Sequence, residues 1–428
     1  MHRGMSRWVI AAFAFLGAFV LCAGVASAAS PSITAIVTGG DKAPIAGVSV
    51  SVTGPEGFTG SGTTDAEGRA TIEVPAAGQY IVKVDEKTLP PGETVKDGPE
   101  RTVNVLSGDK KALFPVGVGG EPAGGEDSGS GAGEFGAQVL QLIVDGIVLS
   151  LIIALGALGL NLIFGTTGLT NFAHGELLAL GAFTAYVFNA TLGLNLIVAC
   201  VLALVVSAAA WGWGQNYLLW RPLRKRGTGL IAAMIVSIGL AMTIRYILLM
   251  IFGGDGRFYT DYAGQSGLEI GPVNITPKAI ILSLLAILAL TATVLWLRSS
   301  RMGKATRAVS DNPALASASG VNVERVIAVV WVLGATLAGF AGMFQGINNN
   351  VAWTMGQGLL LTMFAAIVLG GLGTIGGAIV GSFVVGMSVQ LSTLIVPTQM
   401  KTGAALALMI VLLLIRPQGL LGKPERVG

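Results

Sequence analysis

Charged residues are scarce in this chain. Of its 428 residues only 11% are Asp, Glu, Lys or Arg, whereas 53% are hydrophobic. Soluble globular domains carry about 25% charged residues, so the composition indicates that most of the chain lies in lipid. The net charge of +3 is small and gives no indication of a nucleic-acid partner.

Cysteine and histidine are equally scarce. The chain has only Cys22, Cys200, His2 and His174 of these two types, which excludes a disulfide framework and a cysteine-based metal site. The Gly-x-x-x-x-Gly-Lys-Ser/Thr motif that binds nucleotide phosphates is also missing. An intramembrane enzyme using His174 and Glu176 would need a third group, and no Ser, Asp or Cys motif lies nearby. We therefore expect no catalytic residue, no metal, no cofactor and no ATP bound by this chain itself.

The first 28 residues have the pattern of a secretory signal. Arg3 and Arg7 precede an apolar run over residues 8–23, and Ala26-Ser27-Ala28 follows as a small-x-small cleavage pattern. We expect residues 1–28 to direct export and to be removed, with an uncleaved anchor helix as the alternative. The segment that follows would then be extracytoplasmic.

Residues 32–116 change to short runs in which polar and apolar residues alternate. Such runs, separated by turn residues, predict a small all-β sandwich domain. Residues 117–136 are Gly-rich with scattered acidic residues and serines, which is typical of a flexible linker. The predicted strands are 33–37, 48–52, 70–74 and 80–84.

Three stretches of this domain, at 44–50, 64–69 and 78–80, resemble the carboxypeptidase regulatory-like (prealbumin-like) domain family. The resemblance implies a binding or spacer module without chemistry of its own. Asp65 and Glu67 lie in a predicted hairpin turn, and calcium coordination is the alternative interpretation of this acidic pair.

Residues 137–428 contain long apolar runs that predict a polytopic α-helical membrane domain, so the fold class is mainly α. A spanning helix needs about 20 apolar residues. Basic residues cluster near 221–226, 298–325 and 416–426, which places these loops and the C-terminus inside the cell. Counting spans from an exported N-terminal domain gives the same orientation, with loops 253–276 and 348–358 outside. The predicted spans are 138–164, 170–191, 194–219, 229–252, 277–297, 326–347, 359–373, 376–396 and 402–415.

Glycine-containing breaks interrupt the apolar sequence at 165–176 and again at 370–377, once in each half of the membrane domain. Paired breaks of this kind indicate a substrate path built from discontinuous helices. Close packing of helices through small residues is the alternative explanation of the glycines.

The residues around these breaks resemble the branched-chain amino acid permease family of ABC importers. Gly-Leu-Asn-Leu-Ile-Phe-Gly at 159–165 and Asn-Phe-Ala-His-Gly-Glu at 171–176 carry the resemblance in the first half. Val-Leu-Gly-Gly-Leu-Gly-Thr-Ile-Gly-Gly-Ala at 368–378 and Arg-Pro-Gln-Gly-Leu-Leu-Gly at 416–422 carry it in the second. The stretches 301–308 and 316–321 also fit, so the resemblance covers about 138–424 in the order of the family.

This resemblance implies a multi-pass permease in the bacterial plasma (inner) membrane that takes up branched-chain or related amino acids. It implies a second permease subunit, cytoplasmic ATP-binding subunits and an extracytoplasmic substrate-binding protein as partners, besides membrane lipid. The exported domain is a departure, because a typical member begins near the first span. A permease for urea or short amides, or an ion-coupled secondary transporter, is the alternative function.

Polar residues within the spans, a substrate path and a coupling loop are predicted to carry the function. Within the spans, Asp145, Arg245, Gln345 and Gln390 are further polar candidates, and Arg245 is expected to extend to the outer membrane surface. Asp311 is expected to cap a short helix that opens at Pro313 in the ATPase-coupling loop. The predicted substrate path comprises Asn161, Thr166, Thr167, Asn171, His174, Glu176, Gly370, Gly371 and Gly373. The predicted coupling residues are Asp311, Asn312, Ala316, Ser317 and Gly320.

Overall fold

The computed structural model separates the chain into two compact units, one within Gly24–Gly131 and one within Ala132–Gly428. The predicted signal segment 1–28 lies outside the described residues, and so do residues 119–130 of the predicted linker, whose first two residues belong to a strand. The described residues are 32–39, 44–54, 58–66, 68–74, 78–89, 93–95, 100–105, 109–118, 131–261, 268–396, 400–416 and 418–422.

The first unit consists of two four-stranded sheets. One sheet has the order β4-β1-β8-β6, with β1 and β8 parallel, and the other has the antiparallel order β3-β2-β5-β7. The strands are β1 (Ser32–Thr38), β2 (Ser49–Thr53), β3 (Thr59–Thr63), β4 (Arg69–Glu73), β5 (Gly78–Val84), β6 (Glu93–Val95), β7 (Glu100–Val105) and β8 (Asp109–Val118).

Alternation along these strands sorts the side chains between the core and the surface. In β2, Val50 and Val52 are buried while Ser51 and Thr53 face outward. Val82 of β5 lies opposite Val52, and both belong to one apolar core shared by the two sheets. Four strands were predicted at their observed places, whereas β3, β6, β7 and β8 were missed.

A turn follows β3 as predicted, but it is not a hairpin, because β3 and β4 belong to different sheets. The backbone N–H of Arg69 donates to the Asp65 carboxylate at 2.8 Å, and the Gly68 N–H donates to the Asp65 carbonyl oxygen at 2.9 Å. These contacts give Asp65 a structural role in the turn, while Glu67 lies outside the described residues.

The second unit is helical, and each of the nine predicted spans contains a helix. A short hairpin, β9 (Leu268–Ile270) and β10 (Val273–Ile275), precedes α6. The helices are α1 (Gly131–Thr167), α2 (His174–Tyr186), α3 (Leu196–Val206), α4 (Arg221–Lys225), α5 (Leu230–Phe252), α6 (Pro277–Ser299), α7 (Arg301–Asp311), α8 (Pro313–Ala318), α9 (Val323–Asn348), α10 (Met355–Gly370), α11 (Ile375–Leu391) and α12 (Lys401–Ile415).

Six helical segments among the described residues are long and apolar enough to cross a membrane. They contain α1, α3 with its continuation to Lys225, α5, α6, α9 and α11. The other three predicted spans correspond to the shorter helices α2, α10 and α12, of 13, 16 and 15 residues. The linker predicted to reach residue 136 also ends earlier, because α1 already begins at Gly131.

Burial divides the helices into an inner and an outer group. In the most apolar 18-residue stretch of each helix, 83% of the residues are buried in α1 and 67% in α9. The corresponding fractions are 22% in α6 and 28% in α5. Helix α2 packs on α9, and Gly181 lies so close to Gly339 that an added Cβ would overlap its backbone. The outer helices expose large aliphatic side chains such as Ile231 and Leu288, which is the surface expected of helices that face lipid.

Candidate functional site

The first break is shorter than the sequence predicts. Helix α1 continues through Thr167, the chain turns at Gly168 with a φ of +68°, and α2 begins at His174. The Thr166 hydroxyl donates to the Leu162 carbonyl at 3.0 Å, and the Thr167 hydroxyl donates to the Ile163 carbonyl at 2.6 Å. Both predicted path threonines therefore lie in the last turn of α1 and bond to their own helix.

Asn171 and His174 fold the chain into the start of α2. The Asn171 side-chain oxygen accepts the Ala173 N–H at 3.1 Å, and His174 Nε2 lies 3.0 Å from the Gly156 carbonyl oxygen of α1. Both side chains are fully buried. Their remaining nitrogens, Nδ2 of Asn171 and Nδ1 of His174, have no hydrogen-bond partner among the described residues.

Glu176 forms a buried ion pair with Arg245. Its Oε1 accepts hydrogen bonds from Arg245 Nη2 at 2.7 Å and from Arg245 Nε at 3.2 Å. Nη1 of the same arginine donates to Gln357 Oε1 at 2.6 Å. The Glu176 side chain is 0% exposed and that of Arg245 is 14% exposed. The expectation that Arg245 extends to the membrane surface is thus wrong: it joins α5 to α2 and α10.

The second break spans 371–374, between the end of α10 and the start of α11. Gly371 and Gly373 have φ values of +110° and +77°, in the left-handed region that favours glycine. An added Cβ at Gly371 would lie 2.5 Å from the backbone nitrogen of Gly422, and one at Gly370 would overlap the carbonyl of Gly377. Gly370 and Gly371 are therefore positions of close backbone packing.

The segment 419–422 closes over this second break. The backbone N–H groups of Leu420 and Leu421 donate to the carbonyl oxygens of Leu369 and Gly370, at 2.7 and 2.9 Å. These bonds satisfy carbonyl groups at the C-terminus of α10 that have no partner within the helix. The motif at 416–422 thus has a structural task, which is to cap α10 beside the break.

One side chain joins α1 to the second break. Asn161 Nδ2 of α1 donates to the Thr374 carbonyl at 2.8 Å, and its Oδ1 accepts the Gly373 N–H at 2.8 Å. A Cβ at Gly165 would lie 3.7 Å from Gly373 Cα. The structure therefore brings Asn161 together with the second break. Asn171, His174 and Glu176 form a separate group around the start of α2.

The predicted coupling loop consists of α7 and α8. Helix α8 is capped by Asn312, whose Oδ1 accepts the Leu315 N–H at 3.0 Å, so the expectation that Asp311 is the cap is wrong. Asp311 is instead the last residue of α7. This difference arises because Asn312 has the extended backbone of an N-cap, with φ −157° and ψ 100°.

Exposure separates the predicted coupling residues. Ala316 is buried with Val309 and Val326 in a small core that anchors α8. Asp311, Asn312, Ser317 and Gly320 are exposed. The sequence analysis missed two residues here, and burial was needed to find them: Leu315 is 65% exposed on α8, and the Ser310 hydroxyl of α7 donates to the Gly165 carbonyl at 2.7 Å.

A polar cavity of about 620 Å³ lies where α9 ends and α10 begins. None of the predicted path residues lines it, but three of the further polar candidates do: Asp145, Gln345 and Gln390. The Asn348-Asn349-Asn350 run between two apolar helices is the sequence signal that could have located it. The other lining residues include Val148, Ile152, Asn274, Thr354, Leu359, Thr362 and Val389.

The family described as "Branched-chain amino acid transport system / permease component" matches residues 142–415. The chain belongs to this family. The match includes both breaks, the α7–α8 loop and the cavity, and it leaves out the N-terminal sheets. Their resemblance to the carboxypeptidase regulatory-like family stays a prediction.

Three relatives show how far the similarity extends. The permease protein LivH of Escherichia coli, of a high-affinity branched-chain amino acid transport system, is 32% identical over 302 residues, covering 67% of this chain and 96% of LivH. BraD of Pseudomonas aeruginosa is 29% identical over 304 residues, with the same coverages. LivM of Salmonella typhimurium is 27% identical over 310 residues, covering 65% of this chain and 69% of LivM.

Membership of this permease family and the six apolar helices make the chain a multi-pass membrane protein. A second cavity of about 600 Å³ fits this environment, because its walls are aliphatic parts of α3, α6 and α9, including Ile197, Leu285 and Leu337. Such a groove suits lipid chains and differs from the polar cavity beside α10.

Proposed function

We propose that this chain is the permease subunit of an ABC importer that takes up branched-chain amino acids. The observation that carries the proposal is the match of the whole membrane unit, at 96% of the length of LivH, to proteins named as permeases of such systems. Urea or short amides and ion-coupled transport are the less favoured alternatives, since LivH, BraD and LivM are named for branched-chain amino acid transport.

The predicted orientation is part of the proposal, with the N-terminal domain extracytoplasmic and the C-terminus cytoplasmic. Arg224 pairs with Glu324 at 3.0 Å, so the basic loops 221–228 and 299–325 lie at one end of the helices. Arg257 and Val351 exchange backbone hydrogen bonds of 2.8 Å, so the loops 253–276 and 348–358 share one end as well. This grouping supports the division made from the basic residues.

An impermeant thiol reagent applied to intact cells tests the orientation. We expect Ser128→Cys to react and Arg226→Cys to react only after the membrane is permeabilised, with Cys200→Ala as the background. Reaction of Arg226→Cys in intact cells, or protection of Ser128→Cys, would contradict the orientation and leave the family membership untouched.

The exposed surface of α8 is the proposed dock for a cytoplasmic ATP-binding subunit. Leu315 offers an exposed apolar contact beside Ser317, while Ala316 anchors the helix to the membrane unit. Ser310 links the preceding helix to Gly165, which lies against Gly373 of the second break. Movement of the loop would therefore reach the contact between α1 and the second break directly.

The dock is tested with the purified complex in vesicles. Leu315→Gln should weaken co-purification of the ATP-binding subunit and lower leucine uptake, whereas Lys225→Gln on the neighbouring exposed loop should do neither. Wild-type uptake and co-purification by Leu315→Gln would place the dock elsewhere.

The proposed partners also include a second permease subunit and an extracytoplasmic substrate-binding protein. LivH and LivM are both named as permease proteins of a high-affinity branched-chain amino acid transport system, which supports pairing of two permeases. Co-purification of one second permease chain and two ATP-binding chains with this one would be the expected result. Isolation of this chain alone with full leucine uptake would contradict it.

For the inner part of the substrate path we propose the contact of α1 with the second break, with Asn161 and Gly373 at its centre. Irregular backbone at membrane depth is tolerated where it lies against protein or a wet path, and the side chain of Asn161 satisfies part of it. Glu176 and His174 are then supports of the surrounding helices, because both are buried and bonded to protein.

A further inference from the structure

The apolar groove between α3 and α6 has one charged side chain, Lys278, among its described lining residues. We propose that this groove binds an anionic phospholipid, with its acyl chains lying along α9 and its phosphate group at Lys278. The inference rests on the chain being a multi-pass membrane protein and does not depend on which substrate it transports. Such a site selects a lipid by its headgroup charge, which an aliphatic surface alone cannot do.

The mouth of the groove lies at one end of three helices. Leu196 begins α3, Lys278 is the second residue of α6 and Ile347 is the last but one of α9, and all three line the groove. From this mouth the lining extends along α6 to Ala292, about 21 Å at 1.5 Å per residue, and along α9 to Thr336, about 16 Å. Half of a hydrocarbon core about 30 Å thick is about 15 Å. The groove therefore has the depth of one membrane leaflet.

The groove is too narrow to hold a helix of a second permease. A volume of about 600 Å³ over a depth of about 16 Å corresponds to a mean cross-section of about 38 Å². An α-helix with its side chains is about 10–12 Å across, which corresponds to about 80–110 Å². Helices α3 and α6 each pack on α9, and the small side chains of Ala289 and Ala292 line the space between them. The dimensions therefore favour acyl chains over a helix.

The walls below the mouth are apolar. Thr336 has the one hydroxyl group among the described lining residues, and it donates to the Val332 carbonyl of its own helix at 2.7 Å. The thiol of Cys200 behaves as a small hydrophobic group. Lipid tails are as apolar as such walls, so the acyl chains contribute packing but little selectivity. Selection among lipids therefore depends on the headgroup.

Lys278 is a half-buried cation at the mouth. No ion pair or hydrogen bond joins its ammonium group to another of the described residues. Asp261 lies near the same mouth, but its Oδ2 accepts the Leu196 N–H at 2.7 Å and Asn189 Nδ2 at 3.1 Å. A lysine near the end of a spanning helix lays its stem along apolar surface and extends its ammonium group to the level of the lipid headgroups. A lipid phosphate at that level would supply the counter-charge.

The expected preference for a net negative lipid is modest and measurable. A lysine near the membrane surface favours an anionic headgroup by about fivefold, the equivalent of about 1 kcal/mol. A zwitterionic headgroup carries the same phosphate, but its own positive group offsets the attraction of the lysine. We therefore expect the groove to take phosphatidylglycerol about fivefold more often than phosphatidylcholine with identical acyl chains.

Photochemical labelling in vesicles tests the site. The complete transporter is reconstituted with a trace of phosphatidylglycerol that carries a diazirine midway along one acyl chain, or with phosphatidylcholine that carries the same chain. Labelled peptides are identified by mass spectrometry. We expect adducts within 281–292 of α6 and 336–343 of α9, and about fivefold more of them with phosphatidylglycerol.

Two pairs of variants separate the headgroup contact from the groove itself. Lys278→Gln should lower phosphatidylglycerol labelling to the phosphatidylcholine level and leave phosphatidylcholine labelling unchanged. Lys225→Gln, at an exposed lysine at the opposite end of the helices, should leave both unchanged. Ala292→Phe fills the deep end of the groove and should reduce labelling by both lipids, whereas Thr291→Phe, at an exposed position outside the lining, should reduce neither.

Equal labelling of the groove by the two lipids, or an unchanged preference in Lys278→Gln, would overturn the assignment. Absence of adducts in the groove would overturn it as well, and would be the result if a second permease covers this face. Leucine uptake is measured in the same vesicles. Loss of uptake with normal labelling would contradict the proposed function alone, whereas normal uptake without labelling would overturn only the lipid site.

Discussion

Replacing Glu176 by glutamine tests whether the centre of the membrane unit is dry. The carboxylate is 0% exposed and accepts two hydrogen bonds from Arg245, at 2.7 and 3.2 Å. Glu176→Gln keeps the shape of the side chain but leaves the arginine charge without its counterion. Breaking a buried pair in this way costs about 3–5 kcal/mol.

The magnitude depends on how little solvent reaches the pair. The glutamine oxygen can still accept one bond and Gln357 keeps its own bond to Arg245, so we expect a loss near 3 kcal/mol, at the low end of that range. For a domain of this size, each kcal/mol corresponds to about 2–4 °C in the melting temperature. Glu176→Gln should therefore lower the apparent melting temperature by about 6–12 °C.

Melting is followed in detergent at one fixed heating rate, because unfolding of such proteins is often irreversible. The matched control is Glu324→Gln. Glu324 also accepts two bonds from an arginine, Arg224, but is 37% exposed. An exposed pair contributes about 0–1 kcal/mol, so this control should shift the melting temperature by less than about 4 °C.

The double variant Glu176→Leu/Arg245→Met completes the test. Removing both charges leaves no unpaired ion, so it should be more stable than Glu176→Gln. If Glu176→Gln melts within error of Glu324→Gln, water reaches the pair and Glu176 borders a wet path. That result would refute the supporting role assigned to Glu176 and return it to the candidate substrate contacts.

Three further predictions concern the breaks and the coupling loop. Asn161→Leu should lower the apparent melting temperature, because it leaves the Gly373 N–H and the Thr374 carbonyl without partners at about 1–3 kcal/mol each. Gly373→Ala should lower the free energy of unfolding by only about 1–2 kcal/mol, through backbone strain alone, because no atom lies within 4 Å of the added Cβ. Gly371→Ala should lower it more, because its added Cβ would also overlap Gly422. Ser310→Ala should lower leucine uptake more than ATP hydrolysis in reconstituted vesicles, because it removes the bond between the coupling loop and α1.

Each of these predictions has an outcome that would contradict it. Thr243→Val serves as the shared control, because the Thr243 hydroxyl bonds only within its own helix on an exposed face. Wild-type stability of Asn161→Leu would show that α1 and the second break are held together by other contacts. Equal losses for the two glycine variants would refute the packing role of Gly371, and unchanged uptake by Ser310→Ala would refute the link to Gly165.

The helices and their order were predictable because the signal is local. Runs of about 20 apolar residues are sufficient to predict spanning helices, and the ends of α5 and α6 fell within two residues of their predicted positions. Helices α2 and α10 were harder, because the breaks at 168–173 and 371–374 remove residues that composition alone assigns to a span, whereas α12 was predicted to within one residue. In the N-terminal unit, β3 (Thr59–Thr63) was missed because Gly60 and Gly62 take the inward positions where valine would show the alternation.

The sequence by itself determined the class of the protein: a polytopic membrane chain, its glycine-broken segments and the motifs of its family. Only the tertiary structure decided which polar residues meet. Arg245 lies 69 positions from Glu176 and Asn161 lies 213 from Thr374, and nothing local specifies either pair. Likewise, Asp145, Gln345 and Gln390 line one cavity because three separate helices converge there. Composition indicates whether a segment prefers water or lipid. A site depends on the distances between side chains of different segments, and these distances are set only when the helices pack.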